Sequence, residues 1–185
     1  MKHAASAAVL MSGGIDSTAC AHHLVLQGLQ VDAIYVDHGQ AAARHESKAA
    51  SAVARHLNIQ LTKIEVEGFG KFGAGELVGR NAFLVSTALF AIRGRPGLLA
   101  LGLHAGTPYY DCSEVFLKSI GRLVAEQTDG KVSVVAPFIA WRKKEVYDYF
   151  ISNDLPIELT YSCEAGTTPV CGRCASCKDR KALQC

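Results

Sequence analysis

The chain has 185 residues, 49% of them hydrophobic, which suffices for one compact α/β domain with a small appendage. Its formal net charge is +2 and no run of Lys or Arg stands out, so a strongly basic nucleic-acid-binding surface is not supported. No apolar run approaches the ~20 residues that span a bilayer and no signal-peptide pattern is visible, so we expect a soluble, cytoplasmic protein with no membrane partner.

Apolar segments that alternate with helical periodicity predict an α/β fold. The predicted strands cover residues 7–11, 31–36, 59–66, 98–103 and 132–136. The predicted helices cover residues 17–29, 44–57, 80 to a turn at 94–97, 114–126 and 141–153. This order predicts a five-stranded parallel, Rossmann-like sheet with helices on both faces.

A glycine-rich segment joins the first strand to the first helix, with the sequence Ser12-Gly13-Gly14-Ile15-Asp16-Ser17. Glycines at such a junction expose backbone N–H groups, and the helix N-terminus adds partial positive charge, so the segment predicts an anion cradle. No lysine follows the glycines, which separates it from the Gly-Lys-Ser/Thr phosphate loop. Two hydroxyls and a carboxylate take those positions, which suits a departing pyrophosphate and attack at the α-phosphorus of ATP. The alternative is an ordinary glycine-rich turn that caps a helix.

The segment resembles the pyrophosphate loop of the ATP pyrophosphatase families, which adenylate a carboxyl or carbonyl oxygen. On this hypothesis the nucleotide is contacted by Gln40, which follows the second strand, and by the residues around the loop: Leu10, Met11, Ser12, Gly13, Gly14, Ile15, Asp16, Ser17 and Thr18.

Two further segments are candidates for the substrate side of the site. Arg80 and Asn81 begin a helix, where a cation gains nothing from the helix macrodipole; Arg80 either binds an anionic or transition-state oxygen or forms a surface salt bridge. The preceding residues 67–79 contain five glycines and are either a substrate lid or a linker. Polar and aromatic residues at 104–112 follow the fourth strand, as the pocket of a planar ligand requires.

A cysteine cluster near the end of the chain predicts a metal site. Cys171, Cys174 and Cys177 are spaced three apart and Cys163 lies eight residues earlier, a set that can close four thiolates around a tetrahedral Zn²⁺. Such a site has no open position, so the ion is expected to be structural and to hold a tail too short and polar to fold by packing. An Fe–S cluster is the alternative occupant. The predicted division is an ATP-binding domain at 1–156 and a zinc-binding tail at 157–185.

Together, the loop and the cysteines resemble the 7-cyano-7-deazaguanine synthase (QueC) family. The matching residues occur in the family's order across almost the whole chain: Ser12 to Ser17, Gly39-Gln40, Gly79-Arg80-Asn81, Asp111-Cys112 with Phe116, and Ser162-Cys163 through Cys177 with Arg180.

The resemblance implies a nucleotide-binding fold of the adenine nucleotide alpha hydrolase type, ATP with Mg²⁺, a structural Zn²⁺ and the substrate 7-carboxy-7-deazaguanine. Family members adenylate its carboxylate, ammonia forms the amide, and a second adenylation dehydrates the amide to the nitrile. The implied catalytic residues are Ser12, Asp16, Ser17, Arg80 and Asn81, and the implied substrate-binding residues are Arg80, Asn81, Tyr110 and Asp111. The oligomeric state is left open by the sequence, with a homodimer as one alternative.

The chain departs from the family pattern at three places. Residues 67–79 replace a much longer insertion, Tyr110 stands where the family usually has Pro, and Ser113 where it usually has Arg. A shorter lid would leave the acyl-adenylate open to an amine larger than ammonia, so conjugation to a protein amine, as in relatives from anti-phage defence, is the alternative activity. A tRNA-modifying enzyme and a non-catalytic zinc-bearing interaction module would each account for part of the pattern as well.

Overall fold

A computed structural model describes residues 5–185 and shows five parallel strands in one sheet. The strands are β1 (Ser6–Leu10), β2 (Gln30–Asp37), β3 (Gln60–Glu65), β4 (Gly97–Ala100) and β5 (Val132–Val135). Their order across the sheet is β3-β2-β1-β4-β5. The predicted fold class is therefore confirmed.

Within the described residues, six α-helices accompany the sheet. They are α1 (Ile15–Leu26), α2 (Ala43–His56), α3 (Arg80–Ile92), α4 (Glu114–Gln127), α5 (Lys143–Ser152) and α6 (Ala175–Ala182). Side chains of α1, α2 and α5 form one hydrophobic core against the sheet, and side chains of α3 and α4 form a second core on the opposite face. The sheet is thus covered on both faces, which is why β1 and β4 can be almost continuously apolar.

The direction in which successive strands are added to the sheet reverses at β1. The chain moves outward from β1 through β2 to β3, and then crosses back to place β4 on the other side of β1. In open parallel sheets, ligands bind outside the carboxyl ends of the strands at such a switch point. The loops that follow β1, β2 and β4 therefore meet around one position.

Most predicted element boundaries differ from the observed ones by one to three residues, and two of these differences have a clear structural cause. β4 ends at Ala100 because its partner Val135 is the last residue of β5, and only the bond from Leu101 N to Val135 O (2.9 Å) continues the ladder. α5 begins two residues later than predicted because Arg142 is its N-cap, where the Arg142 N–H donates to Glu145 Oε2 at 2.7 Å.

The tail also contains a helix that the sequence pattern did not predict. α6 is only eight residues long and has mostly polar residues, so its own pattern is weak. Glu164 Oε1 accepts hydrogen bonds from Ser176 N (3.0 Å) and Ser176 Oγ (2.9 Å), which satisfies a donor of its first turn from outside the helix. Among the residues described, no helix is long and apolar enough to cross a membrane.

Candidate functional site

A cavity of about 350 Å³ opens at the carboxyl ends of β1, β2 and β4. Most of the predicted nucleotide and catalytic residues line it: Leu10, Met11, Ser12, Gly14, Ile15, Asp16, Ser17, Gln40, Arg80 and Asn81. The fold thus brings together residues that are separated by up to about seventy positions in the sequence.

The glycine-rich loop lies tightly against α2. Gly13 has φ +78°, and a Cβ at this position would overlap the backbone N of Ala50 and lie 2.7 Å from the Cβ of Ala49. A glycine is needed here both for the left-handed backbone and for the close approach of the helix. The Cβ of Gly14, by contrast, would meet only ordinary contacts of 3.5 Å or more.

The first turn of α1 has backbone donors available for an anion. Gly14 is the N-cap and provides no side-chain hydrogen bond to this turn. The hydroxyls of Ser12 and Ser17 lie 3.2 Å apart beside it, while Thr18 Oγ1 donates to Gly14 O at 2.8 Å and is fully buried. Free N–H groups, two hydroxyls and a helix N-terminus together make a site suited to phosphate oxygens. Thr18 itself supports the loop from below.

A lysine from α5 reaches the same place. Lys143 Nζ lies 2.7 and 2.6 Å from the two carboxylate oxygens of Asp16, and His104 Nε2 lies 4.0 Å from Asp16 Oδ2. Lys143 was not singled out as a site residue by the sequence pattern, whereas His104 belongs to the stretch 104–112 that was expected to form a ligand pocket. One signal was present, because Lys143 opens a helix, where the macrodipole disfavours a cation just as it does at Arg80.

Asp111, which was expected to contact the substrate, lies against the first turn of α3 and does not line the cavity. Its Oδ2 accepts the Asn81 N–H at 3.1 Å, and its backbone O accepts from Asn81 Nδ2 at 2.8 Å. Asn81 is 4% exposed and its Oδ1 accepts from Arg80 Nε at 3.3 Å. The carboxylate of Asp111 therefore caps α3 and orients Asn81, which in turn orients Arg80.

Neither Tyr110 nor Asp111 is among the residues that line the cavity, whereas their neighbours Tyr109 and Cys112 are. The Tyr110 ring is 62% exposed and packs edge-on against Phe116. Burial, with the nearby Asp111 charge, raises the pKa of the Cys112 thiol to about 11, so this cysteine stays protonated and is not an activated nucleophile.

The surroundings of Arg80 distinguish a surface salt bridge from an anion-binding role. Within residues 5–185, Arg80 forms no ion pair with a carboxylate. Its guanidinium lines the cavity and keeps donors available for an anionic ligand.

Gln40 is held rigidly beneath the cavity. Its Nε2 donates to Glu46 Oε2 at 2.8 Å and to Tyr35 Oη at 3.1 Å, while its Oε1 accepts the His38 N–H at 2.9 Å. Burial raises the pKa of Glu46 above its ordinary value, an effect that the hydrogen bond from Gln40 opposes. Gln40 therefore shapes the loop after β2 with both ends of its amide.

The loop at 67–79 covers one side of the cavity. Phe72 N donates to Gly39 O at 2.9 Å and Ala41 N donates to Phe72 O at 3.0 Å, which anchors the middle of the loop to the segment after β2. Beyond this anchor, Gly73, Ala74, Gly75 and Leu77 line the cavity. The loop is more than a connection, because four of its residues form part of the wall.

The four predicted metal-binding cysteines converge. The Sγ atoms of Cys163, Cys171, Cys174 and Cys177 all lie within 4.8 Å of one another. Sulfur atoms that surround Zn²⁺ tetrahedrally at ~2.3 Å are about 3.8 Å apart, and the Sγ atoms of Cys171 and Cys177 are separated by 3.9 Å. Burial opposes ionisation of Cys163, but hydrogen bonds from the Cys171 and Thr167 backbone outweigh it and lower its pKa to about 5. The cluster could therefore hold a metal ion.

The tail forms part of the cavity wall as well. Tyr161 N donates to Gly13 O at 3.0 Å, and the Tyr161 ring stacks on His45 of α2 with centroids 4.7 Å apart. Ser162, Glu164, Ser176 and Arg180 are among the lining residues. The cysteine cluster is thus connected through a few residues to the glycine-rich loop.

Comparison with known proteins identifies one family. The family model described as "Queuosine biosynthesis protein QueC" matches residues 6–88 and 77–184. A curated 7-cyano-7-deazaguanine synthase from Methanothermobacter thermautotrophicus is 32% identical over 202 residues, covering 93% of this chain and 90% of the relative. The synthase from Koribacter versatilis is 33% identical, covering 92% of this chain and 85% of the relative.

Solved structures share the architecture. The U34-tRNA thiolase NcsA from Methanococcus maripaludis, which carries a [4Fe-4S] cluster, superimposes with a TM-score of 0.53 and 13% sequence identity. The match covers 90% of this chain and 62% of the thiolase chain. At this identity the likeness is one of fold.

The contact between Gly13 and α2 predicts a specific cost of substitution. Gly13→Ala and Gly28→Ala both place a side chain at φ +78°, but the Cβ at Gly28 has nothing within 4 Å. The free energy of unfolding of each variant should fall by about 1–2 kcal/mol because of the left-handed backbone. For Gly13→Ala it should fall by a further ~1–3 kcal/mol because of the overlap with α2. Urea denaturation of the two variants measures the difference; equal losses would show that α2 yields freely to the extra methyl group.

Proposed function

Since the chain belongs to the QueC family, we propose that it is an ATP-dependent, AMP-forming ligase that adenylates 7-carboxy-7-deazaguanine and transfers the acyl group to a nitrogen nucleophile. The observation that carries the proposal is the lysine-free glycine-rich loop, which faces Lys143 and Arg80 across one cavity. The curated relatives are named synthases of 7-cyano-7-deazaguanine, and ammonia is the nucleophile that this product requires.

In the first step, a carboxylate oxygen of the acid attacks the α-phosphorus of ATP, and the bond from that phosphorus to the bridging oxygen of pyrophosphate breaks. The free N–H groups of α1 and the hydroxyls of Ser12 and Ser17 are placed to bind the departing pyrophosphate. Lys143 sits beside them and can move from the Asp16 carboxylate to a phosphate oxygen. A positive charge at that point stabilises the leaving group.

The second step is acyl transfer. Ammonia attacks the carbonyl carbon of the acyl-adenylate, AMP leaves, and the nitrogen loses a proton to give the amide. Arg80 lines the cavity and is oriented by Asn81 and Asp111, so we assign it to the oxygens around the reacting carbonyl. Formation of the nitrile then requires a second ATP, whose α-phosphorus is attacked by the amide oxygen as pyrophosphate leaves. The nitrogen loses its two protons and AMP departs with that oxygen. No covalent enzyme intermediate is needed.

Mg²⁺ is proposed to accompany the triphosphate, where it would neutralise phosphate charge. The oxygen donors beside the loop that could hold it are the Asp16 carboxylate and the hydroxyls of Ser12 and Ser17. A carboxylate has about four lone-pair sites, so the contacts to Lys143 do not exhaust Asp16.

We propose that the four cysteines hold Zn²⁺ and that residues 157–185 form the zinc-binding tail of a nucleotide-binding domain at 1–156. Four thiols with no open position supply a structural site, since catalysis would need a vacant one. The contact between Tyr161 and Gly13 supports an indirect role in activity, because it links the tail to the phosphate-binding loop.

Transfer to a protein amine is a second candidate for the acyl-transfer step. The cavity wall at 73–77 is built largely from small residues, and the covering loop is short, running only from 67 to 79. The family match is divided into two segments that overlap at 77–88, where this loop ends, and a division at this point supports a shortened loop. A lower wall would admit a larger nucleophile than ammonia.

The activity is tested by incubating the protein with ATP, Mg²⁺, 7-carboxy-7-deazaguanine and ammonium, and following AMP, pyrophosphate and products by mass spectrometry. We expect AMP and pyrophosphate release that depends on the acid, together with the amide and the nitrile. Release that depends on the acid but yields no nitrile would favour a protein-amine acceptor. No pyrophosphate release with the acid would contradict the proposed ligase.

Substitution of Lys143 tests the phosphate end of the site. Lys143→Ala should lower kcat by ~10²–10³-fold, the size of effect seen when one preorganised charge stabiliser is removed. Lys144→Ala is the matched control, because Lys144 is the next residue of α5 but pairs with Asp148 on the exposed face. Its kcat should stay within about twofold of the wild type. Equal effects of both substitutions in steady-state assays would remove Lys143 from the mechanism.

Substitution of a buried cysteine tests the metal site. Cys163 is 1% exposed within the cluster, whereas Cys185 is exposed and lies outside it. Cys163→Ser should reduce bound zinc, measured by elemental analysis, from about one ion per chain to well below one and lower Tm, because a structural ion contributes directly to folding. Cys185→Ser should leave both values unchanged. Iron in place of zinc in the wild-type protein would identify a cluster as the occupant.

A further inference from the structure

His38 is a buried polar residue on the wall of the cavity that the proposed steps do not use. It follows β2 directly and continues the row of Ile34 and Val36, which face α3. Its ring is close to Phe72 of the covering loop (centroids 5.9 Å apart) and to Phe83 of α3 (6.1 Å). The residue is 7% exposed and is one of those that line the cavity.

Both ring nitrogens of His38 lack hydrogen-bond partners within residues 5–185. They are the only buried side-chain nitrogen or oxygen atoms in this described part of the chain for which that is true. A buried polar group without a partner lowers stability, and such groups in native proteins commonly reflect a functional requirement. Packing alone would be served better by an apolar ring, since two phenyl rings already surround the position.

The surroundings keep the imidazole uncharged. Burial lowers the pKa of His38 below its ordinary value. The Val36 carbonyl, which lies near the ring without meeting hydrogen-bond geometry, and Asp37 favour the charged ring, while Arg80 disfavours it. A neutral imidazole offers one N–H donor and one acceptor. It is therefore unsuited to binding an anion, a task for which the cavity has Arg80 and Lys143.

A donor and an acceptor on a flat ring, in an aromatic and apolar setting, match the edge of a planar nitrogen heterocycle, where donors and acceptors also alternate. The cavity beside His38 is lined by Ile34, Val36 and Leu84, which can contact the face of such a ring. We propose that His38 is a specificity-determining residue whose uncharged imidazole hydrogen-bonds the edge of a heterocyclic base bound in the cavity.

This inference rests on the proposed function, which supplies two such heterocycles: the adenine of ATP and the deazaguanine of the acid. Both present ring nitrogens and an exocyclic group along one edge. The shared chemistry is what His38 recognises, and separate titrations with each ligand distinguish the source.

The first measurement is stability without ligand. His38→Phe should leave Tm unchanged or raise it, because the substitution removes two unpaired nitrogens from an aromatic environment. His56→Phe, at the exposed end of α2, is the control for a histidine replaced at the surface. A marked fall in Tm, or failure to fold, in His38→Phe alone would show that the imidazole serves the packing of the fold, and would overturn the proposal.

The second measurement is binding by calorimetry, with a nonhydrolysable ATP analogue, with 7-carboxy-7-deazaguanine, and with tripolyphosphate, which has no heterocycle. His38→Phe should raise Kd about 10-fold for one of the two heterocyclic ligands and leave tripolyphosphate binding as in the wild type. His38→Gln, which keeps a donor and an acceptor, should recover part of that loss. Wild-type affinity of His38→Phe for both heterocyclic ligands, or equal weakening of tripolyphosphate, would overturn the proposal.

The wild-type titrations separate this proposal from the proposed function. If the wild-type protein binds neither the ATP analogue nor the acid, the ligase proposal fails and the role of His38 fails with it. If the wild type binds both ligands and only the role of His38 is wrong, His38→Phe will bind the ATP analogue and the acid as tightly as the wild type does.

Discussion

The position of Gly13 is the constraint on which the rest of the site depends. On one side its α-carbon touches α2 so closely that no side chain fits, and on the other side its carbonyl accepts the Tyr161 N–H from the tail at 3.0 Å. The loop is therefore clamped before α1 begins, and its backbone amides keep their direction without a ligand. Preorganisation of this kind is what electrostatic stabilisation of a leaving group requires.

The two cations that line the cavity, Lys143 and Arg80, are held in different ways. Asp16 accepts hydrogen bonds from Lys143 with both carboxylate oxygens, so this cation is paired and held beside the glycine-rich loop. Arg80 is instead aligned by a chain of hydrogen bonds through Asn81 to Asp111, and its positive charge faces the cavity. The two cations come from opposite faces of the sheet, and a ligand that binds both must span the switch point at β1.

The tail is integrated into the domain, although its composition suggested a separate appendage. The Sγ atoms of the four cysteines lie within 4.8 Å of one another, and α6 begins directly after Cys174. Tyr161 stacks on His45 of α2. A metal ion in the cluster would therefore stabilise a wall of the cavity as well as the tail itself. Through Tyr161, the segment that carries the cysteines lies against the glycine-rich loop, although the two are at opposite ends of the chain.

What the sequence determined by itself was local. Short segments with a clear pattern predicted the apolar strands, the helices, the glycine-rich loop and the cysteine cluster. The order of these segments along the chain carried the family resemblance. What only the tertiary structure decided depends on contacts between distant residues. Lys143 contacts Asp16 across 127 positions, and Asp111 orients Asn81 instead of lining the cavity. His38 is buried beside Phe72 of the covering loop and Phe83 of α3, where its ring nitrogens have no hydrogen-bond partner. Periodicity reports which face of an element is buried, but it carries no information on which distant side chain will lie opposite, and that is why these roles emerged only from the fold.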